Sequence, residues 1–316
     1  MGHIIDLHCD TIMECMLKEQ GLDGRPGHIN LEKLKKGGSM AQCFALFTLS
    51  NDMQDEHNCY GEVYDLYNRM YETFQREMEA HKDVIRQARS AEEILKNNAD
   101  GKLSAILTIE DCIFVEGKME RIVEMASRGV KMASLTWNYE NSIGYPNHKN
   151  AELHKLGLKP FGIEAVEAMN DLGIIVDVSH LSEGGFWDVI KYSKKPICAS
   201  HSCARALCDH SRNLTDEQLK AMGETGSVVG INFYSAFLEK DNLIFSRDEA
   251  ILKHMVHIAN KAGIETLALG SDFDGIDCEL EMKDYAGYPR LIEKMQEHFT
   301  DDQIDLITHK NFLRIL

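Results

Sequence analysis

The chain has 316 residues, of which 44% are hydrophobic and 27% are charged. These proportions are ordinary for a globular protein with an apolar core, and they exclude global disorder and a fibrous repeat. Asp and Glu total 51 against 34 Lys and Arg, which gives a formal net charge of −17. An acidic surface repels phosphate backbones and anionic lipids, so the composition argues against nucleic acids and membranes as partners.

Targeting and redox signals favour one compartment. No apolar run reaches the roughly 20 residues of a membrane-spanning helix. Neither a signal peptide nor a C-terminal hydrophobic tail is recognisable. The nine cysteines are scattered and form no CxxC pair. We therefore expect a cytoplasmic protein whose thiols are reduced and mostly buried.

Eight short apolar runs, taken in chain order, predict strands that are buried on both faces. They cover residues 3–9, 40–47, 103–109, 130–136, 173–178, 196–200, 227–232 and 266–270. Runs of this kind are typical of parallel sheets.

Helical patterns separate these strands. Between residues 60 and 80, apolar side chains recur at i, i+3, i+4 and i+7, which predicts one amphipathic helix. A similar pattern covers residues 247–262. Capping-box pairs predict three helix starts, at Ser90 with Glu93, at Thr215 with Gln218, and at Ser246 with Glu249.

Some polar residues are interpreted as structural. His254 and His257 form an HxxH pair without the i, i+4 spacing of a zinc-protease helix, so they predict a partly solvated helix surface. The segment from Asp52 to Glu56 predicts a solvated loop.

The alternation of strands and helices predicts an α/β fold, the (β/α)8 TIM barrel, in one domain that spans residues 1–316. The competing arrangement is a doubly wound open sheet. No GxGxxG motif follows the first strand, which disfavours dinucleotide binding.

Residues with chemical potential collect where the predicted strands end. In a barrel of this type, catalytic side chains come from the carboxyl ends of several strands. Those ends carry six candidates, which are His8, Asp10, Glu110, His180, His201 and Asp272. His8 and Asp10 are two residues apart, so their side chains share one face of the strand.

Imidazoles and carboxylates are the ligands that zinc uses in catalytic sites, where one position stays open for water. His8, Asp10, His180 and His201 exceed what one ion needs, and they suit two ions that share Glu110. Two ions a few ångströms apart would hold a hydroxide at neutral pH. Each residue also has a structural interpretation, since a His at a strand end is often a hydrogen-bonded core residue.

The same segments resemble a known family. They are Ile5–Asp10, Glu110, Asp177–His180, Ala199–Ser202, Ser211–Leu214, Gly270–Gly275 and Asn311–Arg314. In order and spacing they resemble the membrane (renal) dipeptidase family of zinc peptidases, within the metal-dependent barrels of the amidohydrolase type. The likeness is to a soluble, bacterial-type member and covers nearly the whole chain.

The resemblance implies two zinc ions per chain, although other divalent metals suit the same ligands. His8 and Asp10 would hold one ion, His180 and His201 would hold the other, and Glu110 would bridge them.

The resemblance also implies roles toward the substrate. Arg212 would bind the C-terminal carboxylate of a small dipeptide, for which its planar fork is suited. Asp272 would transfer protons, with Asp274 as its rival. The family further implies a homodimer.

One position departs from the family pattern. Relatives of the mammalian type carry a His at the end of the fourth barrel strand, thought to support the oxyanion, where this chain has Trp137. An indole donates a hydrogen bond but accepts no proton. Asn138, Tyr139 and His148 are candidates for the missing donor, and we expect Asn138 and Tyr139 to contact the substrate.

The sequence therefore predicts a metal-dependent dipeptidase that uses a bridging hydroxide at a binuclear zinc site. Two alternatives stay open. The same barrel could hydrolyse another amide, lactone or ester, because a fold does not fix the substrate. It could also bind a metal or a peptide without turnover.

Overall fold

The computed structural model describes residues 3–50 and 61–316. In chain order the strands are β1 (Ile4–Asp6), β2 (Ser39–Phe47), β3 (Ile85–Gln87), β4 (Leu103–Glu110), β5 (Val130–Ser134), β6 (Ile175–Asp177), β7 (Cys198–Ser202), β8 (Val228–Ile231), β9 (Phe245–Ser246), β10 (Leu267–Leu269) and β11 (Glu279–Leu280). Every one of the eight predicted strands has a counterpart here, and several are shorter than predicted.

Those eight strands close into a parallel barrel. Their order is β1-β2-β4-β5-β6-β7-β8-β10, and β10 pairs back to β1. Each strand is followed by helical structure before the next barrel strand begins. The predicted (β/α)8 barrel is therefore confirmed, and the open doubly wound sheet is excluded.

Three strands were not predicted. β3 pairs with the amino-terminal part of β4, while β9 and β11 form a separate parallel pair. They are only two or three residues long. Their sequences mix apolar with polar residues and form no apolar run, so the pattern that identified the barrel strands could not identify them.

The helices cover the outside of the barrel. They are α1 (Thr11–Lys18), α2 (Leu31–Gly37), α3 (Val63–Ala80), α4 (Ala91–Ala99), α5 (Met119–Arg128), α6 (Ala151–His154), α7 (Pro160–Leu172), α8 (Glu183–Tyr192), α9 (Asp216–Glu224), α10 (Ser235–Leu238), α11 (Asp248–Ala262), α12 (Tyr288–Met295), α13 (Asp301–Asp305) and α14 (Asn311–Ile315). In the described part of the chain no helix is long and apolar enough to cross a membrane.

The helices predicted over residues 60–80 and 247–262 are α3 and α11, which begin at Val63 and Asp248. Residue 60 and the predicted loop from Asp52 to Glu56 lie outside the described residues.

The three predicted helix starts have different outcomes. Thr215 and Gln218 form a complete capping box at α9. Ser90 caps α4, but the Glu93 side chain accepts from Arg89 N instead of closing the box. The prediction at Ser246 was wrong, because this residue belongs to β9 and α11 begins one residue after Arg247.

The core has two layers, one inside the barrel and one outside it. The inner cluster includes a side chain from every barrel strand, namely Ile5, Cys43, Ile106, Met132, Ile175, Cys198, Val228 and Ala268. Phe312 of α14 packs on the same cluster. Outside the barrel, strand residues such as Phe44 pack against helix residues such as Phe74. Apolar side chains fill the interior of the barrel. The imidazoles and carboxylates of a candidate site therefore lie at the carboxyl ends of the strands.

His254 corrects a prediction, because it is buried and not partly solvated. Its side chain is 1% exposed. Nδ1 accepts from Ala204 N at 3.0 Å, and Nε2 lies 2.9 Å from the carbonyl oxygen of Leu238. The imidazole is therefore neutral, with its proton on Nε2. His257 remains at the surface, where it pairs with Asp216.

We expect His254 to make folding sensitive to acid. Burial lowers its pKa to about 4, whereas an unfolded His titrates near 6.5. The unfolded chain therefore binds the extra proton first, and the stabilisation is lost as pH falls from about 6.5 to about 4, by about 3 kcal/mol in total. Urea unfolding at several pH values should show a smaller acid loss in His254→Gln than in the wild type. Equal losses in both proteins would contradict this assignment.

Candidate active site

The carboxyl end of the barrel brings the six sequence candidates together. Glu110 is the last residue of β4, and His201 lies within β7. His8 and His180 follow β1 and β6, and Asp272 follows β10. Asp10 immediately precedes α1. These side chains are buried or nearly so, because they line the floor of the same cleft.

Glu110 lies between two groups of ligand atoms. Its Oε2 is 3.3 Å from Nε2 of His8. Its Oε1 is 3.0 Å from Nε2 of His180 and 3.6 Å from Nε2 of His201. The two oxygens of one carboxylate thus face different imidazoles.

A second group surrounds His8. Its Nε2 is 3.5 Å from Asp10 Oδ2 and 3.8 Å from Asp272 Oδ1. Among the described residues, two sets of ligand atoms are compact enough to hold a metal ion, and they are His8 with Glu110 and His201, and His8 with Asp10 and Asp272, with His180 in neither set.

Hydrogen bonds behind the two other imidazoles determine their tautomers. Nδ1 of His180 is 3.1 Å from Asn138 Oδ1, which can only accept. Nδ1 of His201 is 2.7 Å from Ser200 Oγ, whose hydroxyl donates to the Asp177 carboxylate. Each Nδ1 therefore carries the proton, and each Nε2 presents a lone pair.

Those two lone pairs converge. Nε2 of His180 lies 3.0 Å from Nε2 of His201, and both face Glu110. Burial, with the positive charge of Arg212 nearby, lowers the pKa of both imidazoles well below the usual value. Three acceptor atoms that point at one another in a buried place need a cation between them.

The buried carboxylates of the cluster also lack a compensating positive charge. Burial and the charge of Asp10 raise the pKa of Glu110 to about 8. Burial also raises the pKa of Asp272. Burial alone would lower the pKa of His8, but Glu110 and Asp10 outweigh it and raise that pKa well above its usual value. The crowded negative charge thus draws protons to the site in the absence of another cation.

Two buried carboxylates tie neighbouring strand ends together beneath the site. Asp6 accepts from Ser271 N at 3.0 Å and from Tyr288 Oη at 2.8 Å, which joins the ends of β1 and β10. Asp177 accepts from Ser179 N and Ser200 N, both at 2.9 Å, which joins β6 and β7. These bonds fix the backbone from which His8, Asp272, His180 and His201 project.

The backbone at the site is strained. His180 and Asp272 have φ values of 66° and 64°, a left-handed region that such side chains rarely adopt. Gly275 lies against Asp10 and Asp272, since a Cβ there would overlap Asp10 Oδ2 and would be 2.7 Å from Asp272 Oδ1. A glycine is therefore required for the loop after β10 to approach the carboxylates so closely.

The structure separates Asp272 from its rival. Asp272 Oδ2 accepts from Asn232 Nδ2 at 2.9 Å, while Oδ1 faces His8. Asp274 instead accepts from Thr11 Oγ1 at 2.7 Å and forms an ion pair with Arg25 at 2.6 Å. Asp274 thus anchors a loop, and only Asp272 has an oxygen directed at the ligand cluster.

Arg212 lies behind the cluster and is 5% exposed. Its Nη2 donates to the carbonyl oxygen of His201 at 3.2 Å, and its guanidinium lies 5.3 Å from the ring centre of Phe237. Nε is buried without a hydrogen-bond partner. Within residues 3–50 and 61–316, Arg212 forms no ion pair with a carboxylate. The unpartnered Nε suits Arg212 to bind a ligand carboxylate, although Arg212 lines a small cavity of about 10 Å³ beside His180 and not the larger cavity above the cluster.

A cavity of about 480 Å³ opens above the cluster. Its wall combines carboxylates with aromatic and aliphatic side chains, and its lining includes Glu110, His180, Asp272, Trp137, Asn138, Phe47, Tyr234 and Phe237. Tyr139 is not part of this lining, and its ring lies 5.8 Å from that of Trp137. His148 lines a different cavity.

Comparison with known proteins decides the family. The model of the membrane dipeptidase family, Peptidase family M19, matches residues 2–316. The chain belongs to this family. An uncharacterized dipeptidase of Schizosaccharomyces pombe is 31% identical over 303 residues, which is 93% of this chain and 72% of that protein.

Two further proteins are similar to this member of the dipeptidase family. A Klebsiella pneumoniae protein, described as an uncharacterized protein in the pqqA 5' region, is 35% identical over 244 residues, or 73% of this chain and 88% of its own length. A metallo peptidase from Rhodobacter sphaeroides, solved with a phosphinate mimic of the dipeptide L-Ala-D-Ala, has a TM-score of 0.90 and 25% identity. The alignment covers 99% of this chain and 98% of that one. The predicted family and the predicted class, a hydrolase of a metallopeptidase family, are confirmed.

Some residues of the dipeptidase site were not identified from the sequence. Asn232 holds Asp272, and Phe237 packs on Arg212. Asn232 closes the predicted strand 227–232, so the rule that identified the other candidates could have found it. Phe237 lies on a four-residue helix and carries no comparable signal.

Proposed function

We propose that this chain is a dipeptidase that binds two zinc ions and hydrolyses the peptide bond of dipeptides. The observation that carries the proposal is the position of Glu110, whose two oxygens face His8 on one side and His180 with His201 on the other. A carboxylate in that position is suited to bridge two metal ions.

The residues present fit two cations. His8 and Asp10 would hold one ion, and His180 and His201 the other, with Glu110 shared. Nε2 of His8 and Oδ1 of Asp10 are buried and have no hydrogen-bond partner, as expected for atoms reserved for a metal. When bound, two divalent ions supply a nucleophilic hydroxide at neutral pH and polarise the carbonyl group of the substrate.

The protein side chains would position the substrate and move its protons. Arg212 would take the C-terminal carboxylate of the substrate on its free donors. A carboxylate fixed that close to the cluster limits the substrate to two residues. Asp272 would accept the proton of the attacking water and deliver it to the leaving amine.

The relatives support the choice of substrate. The Rhodobacter sphaeroides peptidase, similar along nearly its whole length, was solved with a mimic of a dipeptide. A phosphinate is tetrahedral, like the carbon formed when water attacks a peptide bond, and this likeness supports hydrolysis of dipeptides as the proposed reaction.

One preparation tests the proposal. We expect about two metal ions per chain by elemental analysis, and hydrolysis of some members of a panel of L,L- and L,D-dipeptides that a chelator stops and zinc restores. Two ions without hydrolysis of any dipeptide would contradict the substrate class. A folded protein that binds no metal when offered zinc would contradict the whole assignment.

Arg212→Met tests whether the free carboxylate is recognised. Loss of one or two charged hydrogen bonds should raise KM for dipeptides on the order of 10- to 100-fold. KM for an amide or ester without a carboxylate should change much less, and that substrate is the control. Equal losses on both kinds of substrate would favour the alternative of a general amide or ester hydrolase.

A further inference from the structure

Attack on a peptide carbonyl places negative charge on its oxygen, and a positioned hydrogen-bond donor stabilises that charge. If the chain has the proposed function, a side chain of this cleft provides this donor. The loop after β5 contains Trp137 and Asn138, and both line the cavity beside Glu110 and His180.

Asn138 has one half of its amide occupied. Its Oδ1 faces Nδ1 of His180 at 3.1 Å. This orientation is required chemically, because Nε2 of His180 must be unprotonated to face the ligand cluster, so Nδ1 carries the proton and needs an acceptor. The amide group is planar, and its nitrogen therefore points away from His180, with two N–H donors.

Hydrogen bonds of Asn141 hold the loop that carries Asn138. Asn141 Nδ2 donates to Asp111 Oδ1 and to the carbonyl oxygen of Leu135, both at 2.8 Å. Asn141 Oδ1 accepts from Ile143 N at 2.8 Å. A donor on this loop is thus held in place before the substrate binds, which is the condition under which such a donor is effective.

Other donors near this loop are less suited. His148 lines a separate cavity, and its Nδ1 accepts from Asn150 N. Tyr139 is exposed, as Asn138 is, but unlike Asn138 it is not part of the lining of the cavity. The rival is the indole N–H of Trp137, whose ring packs edge-on against Phe47 and lies 6.1 Å from the ring of His180.

We propose that Asn138 has two roles in the reaction. Its carbonyl oxygen holds His180 in the tautomer that binds metal, and its amide N–H donates to the oxygen of the scissile peptide group. Asn138 is thereby a catalytic residue for the substrate and a positioning residue for the metal ligand.

Two variants of Asn138 separate these roles. Asn138→Asp keeps an acceptor for His180 but removes the donor, so zinc affinity should stay near that of the wild type while kcat falls on the order of 10²- to 10³-fold. Asn138→Ala removes both, so kcat should fall similarly and the affinity for one of the two ions should drop about 10- to 100-fold. Zinc affinity is measured by competition with a chromophoric chelator, and kcat and KM on the dipeptide that the wild type cleaves fastest.

Trp137→Phe is the matched comparison, because it keeps an aromatic wall and removes the indole N–H. Its kcat should fall far less than that of Asn138→Asp. A larger fall in Trp137→Phe, or full kcat in Asn138→Asp, would overturn the donor role. Unchanged zinc affinity in Asn138→Ala would overturn the positioning role.

Failure of the proposed function would look different. A wild-type protein that binds two zinc ions but cleaves no dipeptide contradicts the function and, with it, the donor role. The zinc affinities of the two Asn138 variants would still decide the positioning role.

Discussion

Glu110→Gln should abolish activity and release metal from both halves of the site. The carboxylate oxygens face His8 on one side and His180 on the other, so one substitution removes a ligand from each proposed ion. The loss of metal affinity should exceed the roughly 10- to 100-fold cost of removing a hydrogen-bond partner behind a ligand. Activity should fall on the order of 10³-fold or more, because both the nucleophile and the stabilisation of charge depend on the ions.

Elemental analysis after dialysis, with dipeptide hydrolysis on the same samples, measures both effects. Asp111→Asn is a suitable control for metal content. Asp111 is the next residue and is equally buried, and burial raises its pKa to about 7. Its carboxylate faces Asn141 and not the ligand cluster. Retention of two ions by Glu110→Gln would exclude a bridging role for Glu110.

The barrel could be predicted because parallel strands buried on both faces appear in the sequence as short apolar runs. Segments such as Leu103–Glu110 are mostly apolar and buried along their whole length, and strong local periodicity separates them from helices such as Val63–Ala80. The strands that escaped prediction have two or three residues. For these, pairing is set by contacts with distant segments, which a local pattern does not contain.

The candidate site could be predicted from one geometric rule. Ligand-type residues that follow different barrel strands must meet at one end of the barrel. The rule needs no knowledge of side-chain contacts, and it predicted that Glu110, His180 and His201 meet, as they do with Nε2 of His180 3.0 Å and Nε2 of His201 3.6 Å from Glu110 Oε1. The rule does not predict which residues orient these imidazoles, because Asp177 and Asn138 act through hydrogen bonds between separate loops and strands.

The error at His254 has the same origin. Its helix pattern was correct, but the surface above it is covered by Ala204 and Leu238, from segments far away in the sequence. Helix periodicity describes which residues share a face and not which distant segment covers that face.

Asp272→Asn should leave the metal ions in place and lower kcat on the order of 10²- to 10⁴-fold, the usual contribution of a positioned acid–base group. Asn has the shape of Asp and keeps an oxygen that can accept from Asn232, so the loop after β10 should be undisturbed. The variant loses the negative charge of Asp272 and its capacity to take a proton at physiological pH. Metal content, kcat and KM on one preparation measure the effect.

Asp274→Asn is the matched control, because it changes the same residue type two positions away. Asp274 pairs with the buried Arg25, and loss of that charge should destabilise folding by about 3–5 kcal/mol. Asp272→Asn should therefore lose turnover and unfold like the wild type. Asp274→Asn should be less stable, while its folded fraction keeps its turnover. If Asp274→Asn lost turnover at normal stability while Asp272→Asn kept it, the assignment of the proton carrier would pass to Asp274. The geometry argues against that result, since both oxygens of Asp274 are already engaged by Thr11, Arg25 and His28.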